Sequence, residues 1–268
     1  ASTSRETPLK IAIEMADAVI AVSEETKADL LRLFQVDPHK IHVIHNGIDP
    51  DEYQRKEDPE VLRKHGVNPE QPYVLFVGRI TRQKGIIHLV RAIESMDAGF
   101  QIVLCAGAPD TPEIAAEMQA AVAAMQAKRD GIIWIQAMLP TPEKIVMYSH
   151  ADVFCCPSIY EPFGIINLEA MACETAVVAS AVGGIKEVVV QGETGILVPL
   201  DQQHESPFEA TDPAGFARDL AEGINSLMAD PEKRRRMGLA GRQRAVDRFS
   251  WTSIAKRTKA LYDTLAKS

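Results

Sequence analysis

Residues Tyr73–Gly85 read YVLFVGRITRQKG: five apolar residues in a row, then a loop carrying Arg79, Arg82 and Lys84 between Gly78 and Gly85. An unbroken apolar run, without the alternation of a half-exposed strand, is the pattern of a strand covered on both faces. The loop leads into an amphipathic stretch with helical spacing. The same unit recurs on both sides of it. Further strand candidates are Ala18–Val22, Ile41–His45, Gln101–Ala106, Ile132–Ile135, Asp152–Cys156, Ala176–Ser180 and Ile196–Val198. Helix-start signals lie between and after them at Asp110-Thr-Pro-Glu113, Thr141-Pro142-Glu143, Asp212-Pro213 and Asp230-Pro231-Glu232, each with an early proline. Such alternation specifies an α/β fold, a parallel sheet with helices on both faces. Ligands of these sheets bind beyond the carboxyl ends of the strands, so chemistry is expected in the loops that follow strands.

The 268 residues are 46% hydrophobic and 25% charged, enough apolar material for a sizeable core. The formal net charge of −8 is spread along the chain and argues against nucleic acid as a partner. The longest apolar stretches are strand-sized, and the chain opens on polar ASTSRETP without a signal-peptide pattern. No membrane partner and a cytoplasmic location are expected. Cys105, Cys155, Cys156 and Cys173 show no metal-ligand spacing and read as buried free thiols; no metal site is expected. Two stretches break the alternation. HNGIDPDEY (His45–Tyr53) reads as a linker, and polar Asp201–Asp212 as a surface loop. The basic run Lys233–Arg236, with Arg242, Arg244 and Arg248 at helical spacings, reads as a solvated helix face.

Three segments could carry chemistry. The Gly78–Gly85 loop fits neither the dinucleotide fingerprint nor the P-loop, yet it places Arg79 and Lys84 at the carboxyl end of a strand. A guanidinium chelates phosphate oxygens and an ammonium supplies a compact charge; ordinary surface charge is the competing reading. The second segment is PSIYEPFGIINLE (Pro157–Glu169), with a helix starting near Gly164. The amides of Phe163, Gly164 and Ile165 would then be open donors at a positive dipole end, suited to an anion or a sugar hydroxyl. Glu161 and Glu169 would repel a phosphate, so accepting hydroxyl protons is the task their charge suits. Alternatively, Glu161 is a turn residue and Glu169 compensates the helix dipole. The third segment, VGGIKE (Val182–Glu187), is another glycine turn at a strand–helix junction. None of the seven histidines falls in a recognisable site; His42 and His45 flank an apolar strand as core or edge residues.

Taken together and in order, these segments resemble glycosyltransferase family 4, retaining enzymes of the GT-B fold. VGRITRQKG (Val77–Gly85) matches that family's diphosphate loop and EPFGIINLE (Glu161–Glu169) its E-x7-E motif, with VIAVSEETK, VIHNGID, VGGIKEVV and GETGILV in the expected order. VLCAGAPDTPEIAAEM, VFCCPSIYEPFGIINLEAMACETAVVASAVGGI and FSWTSIAKRT are most similar to actinobacterial-type glycogen synthases, a group that includes makers of maltose 1-phosphate. The resemblance implies the Rossmann-like carboxy-terminal domain of a two-domain GT-B glycosyltransferase. Residues 1–45 would be the remnant of the amino-terminal domain, 46–250 the nucleotide-sugar-binding domain, and 251–268 a helix crossing back.

Carried over by residue, the resemblance implies that Gly78, Arg79 and Lys84 hold the donor diphosphate, with Arg79, Lys84 and Glu161 serving catalysis. Glu169 would bind the ribose hydroxyls, and Glu161 with the amides of Phe163, Gly164 and Ile165 the transferred hexose. The Gln136–Leu139 loop, through Met138 and Leu139, would grip the base. Lys186 stands where these synthases usually have proline. No cofactor is implied beyond the substrate itself, ADP-glucose being the expected donor and an α-glucan or sugar phosphate the acceptor. The missing amino-terminal domain is the expected partner, and without it the chain is expected to bind donor but not turn over. A non-catalytic nucleotide-binding module and a transferase for another nucleotide sugar remain open at this stage.

Overall fold

The computed structural model describes residues 8–203 and 208–267. The start of the expected 1–45 segment, residues 1–7, and residues 204–207 of the expected surface loop lie outside the described residues. The chain runs α1 (Pro8–Met15), β1 (Val19–Ala21), α2 (Glu24–Leu33), β2 (Ile41–Val43) and α3 (Pro59–Lys64). It continues β3 (Tyr73–Arg79), α4 (Ile86–Ala92), β4 (Gln101–Gly107), α5 (Pro112–Gln126), β5 (Ile132–Ile135) and α6 (Thr141–His150). Then come β6 (Val153–Cys156), α7 (Ile165–Ala172), β7 (Ala176–Ser180), α8 (Ile185–Val188) and β8 (Gly195–Val198). Three helices close it: α9 (Pro213–Met228), α10 (Pro231–Phe249) and α11 (Trp251–Leu265).

The main sheet has six parallel strands in the order β5-β4-β3-β6-β7-β8. Alternate side chains of one strand enter different cores. Val74 and Phe76 of β3 join Leu89 of α4, Met118 of α5 and Leu220 of α9. Tyr73, Leu75 and Val77 join Met147 of α6, Leu168 of α7 and Phe249 of α10 on the other face. Burial on both faces is why the strand sequences are apolar throughout. From β3 the chain steps outward to β4 and β5, then returns to β6 on β3's other side and steps outward again. The strand order therefore reverses between β3 and β6, the position beyond whose carboxyl ends such sheets take ligands.

The helix starts follow local chemistry. Asp212 and Asp230 accept from the amides of Gly215 and Lys233 with a proline just inside the helix. At α5 the capping oxygen is Thr111, accepting from Ile114, which leaves the Asp110 carboxylate to other work. The Asp201–Asp212 stretch closes on itself through a Gln202–Ala210 bridge.

β1 and β2 form their own two-stranded parallel sheet, tied to the main unit through the linker. The Ile48 amide donates to Phe249 O at 2.8 Å, and the Trp251 amide donates to Ile48 O at 3.0 Å. The basic face of α10 is the expected solvated surface only in part: Arg235, Arg236 and Arg248 are exposed, whereas Arg234, Arg242 and Arg244 turn to backbone carbonyls. Arg242 donates to the carbonyls of Tyr53, Ala172 and Pro50, Arg244 to those of Val188 and Glu187, and Arg234 to those of Leu227 and Met228. Long guanidinium side chains here satisfy carbonyls that loops and helix ends leave open. On α11, Trp251 is exposed, Ile254 buried and Leu261 half-buried.

All four cysteines are buried and unpaired. Burial pushes the Cys105 and Cys173 thiols up to about 12, which makes them packing groups rather than nucleophiles. Among the described residues no helix is long and apolar enough to cross a membrane.

Candidate functional site

Three loops meet at the carboxyl ends of the neighbouring strands β3, β6 and β7. The carbonyl of Gln83, in the loop after β3, accepts from the Ile159 amide of the loop after β6 at 2.8 Å. The carbonyl of Glu161 accepts from Gly184, in the loop after β7, at 3.0 Å. Backbone this close leaves no space for side chains. A Cβ on Gly85 would stand 2.0 Å from Pro157 O, and one on Gly183 2.0 Å from Glu161 O. Both residues also have left-handed φ, +62° and +49°. These two glycines thus lock the loops together, and the charged side chains of the site are held by a rigid backbone.

Lys84 and Glu161, from different loops, are partners: Nζ to Oε2 is 2.6 Å, with side chains 26% and 11% exposed. The Ser158 hydroxyl lies 3.5 Å from the same oxygen. Glu169, on α7, is enclosed by three donors. Tyr53 Oη and Lys144 Nζ reach its Oε1 at 2.9 Å each, and Tyr148 Oη reaches its Oε2 at 2.9 Å. Burial raises the pKa of the Tyr148 phenol well above its ordinary value, and the Glu169 charge adds to it. Burial alone would lower that of Lys144, but the charge and hydrogen bond of Glu169 outweigh it and raise it. The sequence argument that two carboxylates would repel a phosphate therefore needs correction, because each is paired with an ammonium. Arg79 is exposed and rests on Asp110 at 3.2 Å.

α7 begins at Ile165, with Gly164 as its first flanking residue. The amides of Phe163, Gly164 and Ile165 donate to no protein group among the described residues, so the helix presents open donors next to Glu161. Phe163 is buried and packs on His45, whose Nε2 lies 2.8 Å from Glu187 Oε2. Met138 is 64% exposed, and Leu139 packs against the core, both in the loop after the edge strand β5 and two strands away from β3. The structure thus joins Lys84, Glu161 and the α7 amides in one cluster and Glu169 in a second, with Arg79 and the Met138–Leu139 loop at the margin. Tyr53, Lys144, Tyr148 and Asp110 are additions that sequence reasoning missed. Lys144 and Tyr148 stand four residues apart on one face of α6, a spacing that was visible beforehand.

Residues 57–244 match the family described as Glycosyl transferases group 1, and residues 3–52 match Glycosyltransferase Family 4. The chain belongs to the group 1 glycosyl transferases. It is 50% identical over 257 residues to α-maltose-1-phosphate synthase of Mycolicibacterium smegmatis, covering 94% of this chain and 64% of that protein. It is 31% identical to D-inositol 3-phosphate glycosyltransferase of Xylanimonas cellulosilytica, over 95% of this chain and 58% of that one. The solved sucrose-phosphate synthase of Thermosynechococcus elongatus superposes with a TM-score of 0.79 at 32% identity, over 97% of this chain and 61% of that one. The chain spans less than two thirds of the length of each. Its parallel sheet is that of the carboxy-terminal domain of GT-B glycosyltransferases. This glycosyltransferase domain carries its clustered charges at the reversal of strand order, the place where such sheets take ligands.

Proposed function

We propose that this chain is the donor-binding portion of a retaining glucosyltransferase that moves glucose from ADP-glucose to an α-glucan or glucose 1-phosphate. One observation carries the reading: Lys84, paired with Glu161, stands beside the open α7 amides at the β3–β6 reversal. An ammonium has three donors, so Lys84 can keep Glu161 and still take a phosphate oxygen. As the nucleoside diphosphate leaves, negative charge grows on its phosphates. Lys84, Arg79 and helix amides meet it with fixed positive charge, an effect whose removal costs about 10²–10³ in rate per donor. Glu161, held by Lys84, is placed to accept a hexose hydroxyl and to favour a sugar that is becoming cationic.

Glu169 suits the ribose by a count of lone pairs. A carboxylate offers about four acceptor sites, and Tyr53, Lys144 and Tyr148 use three. The remaining site fits one hydroxyl donor. The Met138–Leu139 loop serves the base. The acceptor side of the cleft belongs to an amino-terminal domain of which residues 1–45 are the end, with 46–250 the donor domain and 251–268 the helix returning to it. On this reading the 268 residues bind donor and transfer no glucose by themselves, because domain closure completes the site.

Calorimetric titration with ADP-glucose, UDP-glucose and free ADP tests the proposal. Binding of ADP-glucose with a clear preference over UDP-glucose is expected. Equal or stronger binding of UDP-glucose would move the chain to another donor, and no binding of any nucleotide would refute the reading.

A further inference from the structure

Asn167 lies in the first turn of α7, three residues after Gly164, and is fully buried. Buried polar side chains are nearly always hydrogen-bonded, yet neither Oδ1 nor Nδ2 of Asn167 has a partner among the described residues. Its close neighbour is Gly164: a Cβ there would stand 2.8 Å from Asn167 Nδ2, 3.2 Å from Ile185 Cγ1 and 3.6 Å from Glu161 Cγ. The Gly164 amide is one of the open donors of the helix start, so an unused acceptor and an unused donor share one turn. Asn167 also occupies the helix position from which a side-chain oxygen reaches back to the amide of the first flanking residue, the reciprocal bond of a capping box.

What keeps that bond from forming is the backbone of Gly164. A residue flanking a helix start is normally extended, but Gly164 has φ +97° and ψ 46°. Glycine reaches both regions at little cost. Turning the one peptide between Phe163 and Gly164 changes only ψ of the first and φ of the second, so the Phe163 ring can stay packed on His45 and Phe249. In the setting seen here the amide is presented to a ligand and Asn167 is left unpaired. In the other setting the amide turns inward onto Oδ1, and the Phe163 carbonyl swings out to take its place. Without ligand the second setting satisfies the pair, and a ligand that accepts from the amide draws the turn back to the first. We propose that Asn167 is a positioning residue that competes with the donor for the Gly164 amide and so sets what fraction of the empty site is ready to bind. The proposal rests on the donor reading of the α7 amides and adds to it a residue that touches no ligand.

The test compares the 268-residue chain with its Asn167→Leu variant, which keeps the bulk of the side chain and removes the acceptor. Replacing an unpaired buried amide by an apolar group of similar shape should leave the urea midpoint unchanged or raise it. Hydrogen exchange of the Gly164 amide in the empty chain should speed up about tenfold in the variant, and ADP-glucose affinity should rise by the same factor, because both report the ready fraction. Adenosine affinity stays as it was. A merely structural Asn167 would lower the urea midpoint on substitution and leave the Gly164 exchange rate and the ADP-glucose affinity alone. That result overturns the proposal, as does a loss of ADP-glucose affinity in the variant. If the variant does not fold, the wild type decides. Relaxation dispersion at Gly164 in the empty chain, quenched by saturating ADP-glucose, is expected, and a single setting with a rapidly exchanging amide overturns the proposal. A wild type that does not bind ADP-glucose, or binds it away from these amides, counts against the donor reading alone, since the exchange comparison in the empty chain needs no ligand.

Discussion

Replacing Lys84 by methionine keeps the aliphatic stem and removes one charge, and the structure fixes what should follow. The ammonium sits 2.6 Å from Glu161 Oε2, and that carboxylate is 11% exposed. Breaking a fully buried pair costs about 3–5 kcal/mol because it strands the other charge. Lys84 is 26% exposed and water can reach part of the site, so about 2 kcal/mol is the better figure here. For a domain of this size that is about 4–8 °C in melting temperature. Adding Glu161→Gln removes the stranded charge, so the double variant should recover most of the loss. Binding behaves differently: a charged hydrogen bond of about 1.5–3 kcal/mol to the diphosphate is absent in both variants. ADP affinity should fall about 10- to 100-fold in each, while adenosine affinity barely moves. Scanning calorimetry and titration of the two variants give the complete cycle. A double variant no more stable than Lys84→Met alone would refute the pairing. Equal losses for ADP and adenosine would refute the diphosphate role.

Gly183→Ala places a Cβ 2.0 Å from Glu161 O at a φ of +49° and should cost about 3 kcal/mol in urea unfolding. Gly192→Ala has a φ of +76° and open space, and should cost only about 1 kcal/mol; equal costs would mean that the loops are not locked. Glu169→Gln should weaken ADP several-fold and leave pyrophosphate binding nearly intact, and equal weakening of both would return Glu169 to a purely structural role. His88 is buried, and burial lowers its pKa below the ordinary 6.5 in spite of the Glu209 carboxylate. The unfolded chain therefore takes up the proton first as pH falls. The stability tied to a neutral His88 is full above 6.5 and declines as pH drops through the lower folded value. His88→Asn should flatten the melting-temperature slope on the acid side of pH 6.5, and an unchanged slope would assign it to another group.

The inner strands of the main sheet were legible because both of their faces are covered: Val74 and Leu75 face opposite cores, and both must be apolar. Helix starts were legible where a proline follows a capping side chain, as at Asp230-Pro231. The site was legible loop by loop but not in its pairings. Lys84 and Glu161 are distant in sequence, and nothing local says that the Gln83 and Ile159 backbones meet and bring them to 2.6 Å. The same holds for Tyr53, which reaches Glu169 from the linker. Arg234, Arg242 and Arg244 of α10 misled because helical spacing shows which face a residue occupies, not which open carbonyls that face meets. Arg242 has three of them.

The claim that everything else depends on is that the β3–β6 crevice holds the donor's diphosphate. The most direct measurement is a backbone-amide NMR titration of the labelled chain with ADP and ADP-glucose. The amides of Phe163, Gly164 and Ile165 and those of the Arg79–Gly85 loop should move first and furthest with both ligands. Ligand binding that leaves these amides in place and shifts another surface would contradict the account.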